Sequence, residues 1–155
     1  MQTKRFADRL SFTMAASKHP SGLTIEQIAE LRSLATAAAE RSYSPYSKFR
    51  VGAAVLLDDG SIFTGANIEN ASYRLTICAE HTAIAKAVDK AGPKARIRAI
   101  AVDNLNGAAS FPCGPCRQIL HEFGGPDTWV FAPGDDGPAD APLSELLPYG
   151  FHLDN

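Results

Sequence analysis

The stretch Thr76-Ile77-Cys78-Ala79-Glu80-His81-Thr82 holds one of the three cysteines of this 155-residue chain. The other two stand in Phe111-Pro112-Cys113-Gly114-Pro115-Cys116-Arg117. A C-x-x-C pair alone fits a redox dithiol, half of a structural zinc site or two buried thiols. Cys78 changes the reading, because three thiolates can hold zinc tetrahedrally while water takes the fourth corner. With no fourth cysteine and no histidine at ligand spacing, a closed structural site is disfavoured. Zinc lowers the pKa of bound water from 15.7 to about 7. Glu80, two residues beyond Cys78, is placed to shuttle that water's protons and not to bind the metal.

Working outward, the apolar pattern puts the cysteines at helix starts. Ala79, Ala83, Ile84, Ala87 and Val88 give a helix after Cys78 a small apolar face, and Gly92-Pro93 ends it. A further helix spans 116–123, with Pro115 tolerable in a first turn. Three thiolates around a zinc ion leave a net negative charge, which the partial positive charge and free N–H groups of helix N-termini offset. Upstream, Thr24 and Gln27 form a capping-box pattern, and Ile28, Leu31, Leu34, Ala35 and Ala38 predict a helix over 25–41. Strands at 51–57 and 61–66 flank the turn Asp58-Asp59-Gly60. The run 97–102 reads as a buried strand and 128–132 as another, before a Pro- and Gly-rich loop and a short helix at 143–147. Strands alternating with helices after an opening hairpin imply an α/β fold with a mixed sheet covered on both faces.

The length suits one domain. The formal charge is −2, and lysines and arginines are scattered, so the basic footprint of a nucleic-acid binder is missing. No apolar run reaches the roughly 18 residues of a membrane span. Three cysteines cannot pair completely, and no signal-peptide pattern is seen, so a cytoplasmic location is expected. Residues 1–23 read as an N-terminal extension, either a loosely fixed tail or a short accessory helix, with an organelle-targeting peptide as the alternative. The catalytic domain is then 24–155. His19, His121 and His152 lack a partner pattern and read as surface residues. Trp129 reads as core or edge-strand packing, and Asp135-Asp136-Gly137 as a turn.

Cys78-Ala79-Glu80 followed by Pro112-Cys113-Gly114-Pro115-Cys116 is similar to the zinc-deaminase signature. Together with YSPYSKFRVGAA at 43–54, GANIENASY at 65–73 and LLP at 146–148, it resembles the small homotetrameric cytidine deaminases over residues 24–152. That resemblance implies a three-layer α/β/α sandwich with a five-stranded mixed sheet, whose remaining strand is placed near 151–153. It implies one zinc ion on Cys78, Cys113 and Cys116, and hydrolytic deamination of free cytidine and 2′-deoxycytidine with Glu80 as proton shuttle. By the same resemblance Asn67 and Glu69 hold the sugar, Phe49 walls the pyrimidine, the Ala79 backbone meets the ring's polar edge and the Pro112 carbonyl accepts from the exocyclic amine. Phe151 reaches the site of a neighbouring subunit, and Tyr73 lies near that interface.

Position 81 departs from the family, which usually has arginine there to hydrogen-bond the ligand sulfurs. His81 leaves the metal more electron-rich unless it is protonated or Arg117 substitutes. If His81 and its small neighbours leave room, other leaving groups at C4 are also expected to be hydrolysed. The alternatives are another zinc deaminase acting on a different base or an antibiotic, and a non-enzymatic zinc scaffold or nucleic-acid editing module.

Overall fold

The computed structural model describes residues 18–153. Helix α1 (Ile25–Ala39) opens with the expected capping box: the Thr24 hydroxyl accepts from the Gln27 N–H, and the Gln27 side chain accepts from the Thr24 N–H. It stops two residues short of the predicted end. Strands β1 (Val51–Leu57) and β2 (Ile62–Ala66) form the predicted hairpin, with Gly60 at φ 87° in its turn. Then come α2 (Ala79–Ala91), β3 (Ile97–Asn104), α3 (Gly114–Phe123), β4 (Trp129–Gly134), β5 (Gly137–Pro142) and the short α4 (Leu143–Leu146).

The strands make one five-stranded mixed sheet in the order β2-β1-β3-β4-β5. Only the β3–β4 pairing is parallel. Side chains alternate between the faces of a strand, and the two cores follow that alternation. Ala54, Leu56, Ala99, Ala101 and Phe131 pack with α1, whereas Ala53, Val55, Ile100, Val102 and Val130 pack with α2, Leu120 of α3 and Leu143 of α4. The expected three layers result.

Two glycines let helices lie directly on the sheet. A Cβ at Gly52 would stand 2.0 Å from the Ala35 carbonyl oxygen, and one at Gly65 would stand 2.4 Å from the Ala83 nitrogen. These residues sit on adjacent strands and face opposite layers, because Gly65 pairs with Ala53 and not with Gly52.

The fifth strand is not at 151–153, which carries no strand; it is β5, in the segment read from sequence as loop. Gly-Pro-Ala-Asp-Ala-Pro has poor strand propensity, and Pro138 and Pro142 cannot donate to a ladder. An edge strand needs partners on one side only, and Pro138 lies opposite Pro133 where neither donates. His19 also departs from the surface reading. Its Nε2 lies 2.9 Å from Asp140 of β5, and its ring meets Trp129 edge-on at 4.6 Å. Leu23 is fully buried against α1, so residues 18–23 pack with the domain. The tail or targeting readings of 1–17 fall outside the described residues.

Gly52→Ala is expected to destabilise the fold by roughly 1–3 kcal/mol through overpacking against α1. Urea denaturation measures it; an unchanged midpoint would contradict the close approach.

Candidate active site

Strand direction explains why distant segments meet. Both β2 and β3 are antiparallel to β1, so they run the same way and end at one edge of the sheet. The chain leaving β2 leads to α2, the chain leaving β3 leads to α3, and both helices begin at that edge. The strand β1 starts there too, which brings Ser47 and Phe49 to the same place.

Cys78 is the N-cap of α2 and Cys113 that of α3, and Cys116 lies one turn into α3. The three sulfurs lie within 4.8 Å of one another, and Cys78 Sγ is 3.8 Å from Cys113 Sγ. A zinc ion bound to sulfur at about 2.3 Å in tetrahedral geometry requires sulfurs about 3.8 Å apart. The electrostatics of the thiols point the same way. The Cys78 thiol is lowered to about 6, chiefly by a hydrogen bond from Cys116, with Cys113 and His81 adding to it. Cys116 is pushed up by that same bond and Cys113 by burial. Crowded sulfurs share one negative charge until a cation lets all of them ionise. The donor set therefore fits zinc.

Glu80, in the first turn of α2, is 5% exposed, and burial pushes its carboxyl up to about 7. A backbone N–H and Cys116 pull it partly back, while the Cys78 thiolate raises it. A dication at the sulfurs lowers it further. This is a carboxyl poised to exchange protons near neutrality.

Beyond β2 the chain stays extended because residue 68 is bridged on both sides: Ile68 exchanges hydrogen bonds with Ile77, and Tyr43 bonds Asn67 and Glu69. Asn67 and Glu69 thus point inward while Ile68 points out. The Asn67 amide donates to the Phe49 carbonyl at 2.9 Å, and its oxygen accepts from the Val51 N–H and the Ser42 hydroxyl. The Ser47 hydroxyl bonds the Glu69 carboxylate, as do the N–H groups of Tyr46 and Ser47. These bonds, the Ser47 hydroxyl first, hold Glu69 below the usual carboxylate range against the opposing effect of burial.

A cavity of about 390 Å³ joins these groups, a size suited to a small molecule. Phe49, Asn67, Glu69, Cys78, Ala79, Glu80 and Cys113 all line it, and Tyr73 stands at its wall. Five expected site residues do not line it. Cys116 is buried within α3. Pro112 is buried behind it, and its carbonyl accepts from Arg117 Nε at 2.7 Å. Arg117 also donates to the Leu146 carbonyl at 2.8 Å, so its guanidinium braces the loop before Cys113. His81 is exposed, as is Phe151, whose carbonyl accepts from Gln118.

The sequence reading missed Ser47, Thr76, Ser110 and Phe111, which also line the cavity. The Thr76 hydroxyl is buried and has no hydrogen-bond partner among the described residues. Only Phe111 carried a signal, its place two residues before Cys113; hydroxyl residues in loops look alike.

Three converging sulfurs and a buried carboxyl beside a substrate-sized pocket fit a zinc hydrolase. The model of the cytidine and deoxycytidylate deaminase zinc-binding region matches residues 25–132. The chain belongs to that family. It is 45% identical over 125 residues to a cytidine deaminase of Mycobacterium tuberculosis, covering 81% of this chain and 90% of the relative. A cytidine deaminase of Halalkalibacterium halodurans is 45% identical over 115 residues, 74% of this chain and 86% of the relative. Among solved structures, the cytidine deaminase of M. tuberculosis superposes with a TM-score of 0.70 at 43% identity, covering 81% and 97% of the two chains. That of Burkholderia pseudomallei gives 0.71 at 39% identity, covering 79% and 98%.

Elemental analysis of the purified protein is expected to find one zinc per chain. Cys113→Ala should lose it and Glu80→Gln should keep it; zinc lost equally from both would contradict the assignment of ligand and shuttle.

Proposed function

We propose that the chain hydrolyses free cytidine and 2′-deoxycytidine to uridine and 2′-deoxyuridine. The observation that carries this reading is the buried Glu80 carboxyl beside three converging sulfurs, in one cavity with the polar pair Asn67 and Glu69. Zinc on Cys78, Cys113 and Cys116 supplies Lewis acidity and a water whose pKa is near 7.

The chain's own residues do the rest. Glu80 takes a proton from the water and delivers it to N3 as the water oxygen bonds C4. It then carries the remaining hydroxyl proton to the amine, the C4–N bond breaks and ammonia leaves, while N3 keeps its proton. One carboxyl serves twice, and burial, which raises its proton affinity, favours the proton-accepting half of that work. Glu69, ionised and already held by three donors, offers its remaining lone pairs to a sugar hydroxyl. Asn67 has one amide hydrogen left for the same purpose. Phe49 walls the pyrimidine, and the Ala79 backbone meets its polar edge. The Pro112 carbonyl keeps a second lone pair for the exocyclic amine. Arg117 acts by fixing that loop, and His81 tunes the site from the solvent side.

The active form we infer is a homotetramer. Tyr46, Ile68, Tyr73, Leu75 and Ile77 are large apolar residues left exposed around the segment that lines the cavity, more than a lone chain exposes without purpose. Phe151 of the partner subunit then covers the mouth. Among the described residues no helix is long and apolar enough to cross a membrane; we assign the enzyme to the cytoplasm.

Glu80→Gln is expected to lower cytidine turnover by about 10²–10⁴-fold, followed by the ultraviolet change from cytidine to uridine; turnover within threefold of wild type would remove Glu80 from the mechanism. Replacing 2′-deoxycytidine by 2′,3′-dideoxycytidine should cost roughly ten- to a hundredfold in kcat/KM, the worth of a hydrogen bond to a charged acceptor. An equal kcat/KM would detach Glu69 and Asn67 from the sugar. Light scattering is expected to give four times the 16.5 kDa chain mass; a monomer with full activity would rule out a shared site.

A further inference from the structure

The cavity is lined by two unlike sets of groups: the polar Ser47, Asn67 and Glu69, and the sulfur set Cys78, Glu80 and Cys113, where the reacting carbon must sit. Phe111 lines the same cavity and stands near the sulfur set, its Cα at most about 7.6 Å from that of Cys113, two residues on. Its ring lines the cavity and also packs against the core on the α2 side.

The backbone on both sides of Phe111 is anchored. The Ser110 N–H donates to the Pro133 carbonyl at 2.9 Å, and the Pro112 carbonyl accepts from Arg117. Buried Asn104 ties the approach to this loop. Its amide donates to the Ala108 carbonyl at 2.7 Å and the Ser110 hydroxyl at 2.9 Å, and its oxygen accepts from the N–H groups of Asn106 and Ala108. Asn106 in turn bonds the Lys48 carbonyl and the Arg50 N–H, the peptide groups flanking Phe49. The aromatic walls Phe49 and Phe111 are therefore held in one hydrogen-bonded frame. The backbone carrying either ring cannot shift without breaking it.

We propose that Phe111 is the specificity-determining residue for the group carried at the pyrimidine C4, setting how large a leaving amine the cavity admits beside the sulfurs. This rests on the reading of the chain as a cytidine deaminase. For an N4-substituted cytidine the water oxygen bonds C4, the C4–N bond breaks and the substituted amine leaves with the proton Glu80 brings, giving the same uridine. Chemistry does not forbid the larger amine; the wall does. Removing a ring from a pocket wall changes discrimination by tenfold or more, since a single methylene is worth about 10–200-fold.

The test uses the full-length, zinc-loaded enzyme and its Phe111→Ala, Phe111→Leu and Phe111→Trp variants, with cytidine and N4-benzylcytidine as substrates. The expected result is a ratio of kcat/KM, N4-benzylcytidine over cytidine, that rises about tenfold or more in Phe111→Ala, less in Phe111→Leu, and falls in Phe111→Trp. Parallel loss on both substrates, with the ratio unmoved, would make Phe111 a packing residue and overturn the proposal. Each variant is also made in the Glu80→Gln background, and dissociation constants for the two nucleosides are measured by calorimetry. A shift of their ratio in the same order supports the proposal, and an unshifted ratio overturns it. If the wild-type enzyme leaves cytidine unchanged, the functional reading fails, and the binding ratio still decides the role of Phe111.

Discussion

Three sulfurs cannot sit within 4.8 Å of one another as thiolates without positive charge among them. Everything at the active edge of this domain answers that requirement. A cation is the main answer, and the partial positive charge at the N-termini of α2 and α3, where Cys78 and Cys113 are the N-cap residues, is the second. The helices can meet there because β2 and β3 are both antiparallel to β1. Of the helices on the sheet, α2 can lie close because Gly65 has no side chain, as α1 does at Gly52 on the other face.

Preorganisation runs through the remainder of the site. Glu69 and Asn67 are bonded by Ser47, Tyr46, Phe49 and Val51 before any ligand enters, so their remaining polar groups are already aimed. Little reorganisation is left to oppose binding. Arg117 and Asn104 do the same for the loop that delivers Phe111 and Cys113. Burial raises the proton affinity of both carboxyls, but the outcomes differ. At Glu80 burial dominates and brings the carboxyl to about 7, whereas at Glu69 donated hydrogen bonds outweigh it and keep the carboxylate charged. One acid can move protons and the other can hold a ligand.

Elements with periodic apolar faces were legible in the residues: α1 with its Thr24–Gln27 box, the β1–β2 hairpin, and α2 and α3 opening on their cysteines. The metal-binding cysteines and Glu80 were legible because their spacing is chemically restrictive. What was missed was decided by tertiary position. Gly137–Pro142 has no strand propensity and becomes β5 only because an edge needs a single row of partners. His19 gains its partner from Asp140, 121 positions later, which no local pattern announces. Arg117 was read for its charge near the sulfurs, yet its donors are taken by carbonyl oxygens whose direction only the folded loop sets. Phe111 is one of eight phenylalanines, and its place at the cavity depends on the anchored backbone around it.

The central claim is an open site: three sulfur ligands and one exchangeable light atom around a single zinc ion. X-ray absorption at the zinc edge measures this without reference to turnover. The account predicts three sulfurs at about 2.3 Å and one oxygen or nitrogen at about 2.0 Å. A shell of four sulfurs, or a zinc ion bound away from Cys78, Cys113 and Cys116, would contradict it.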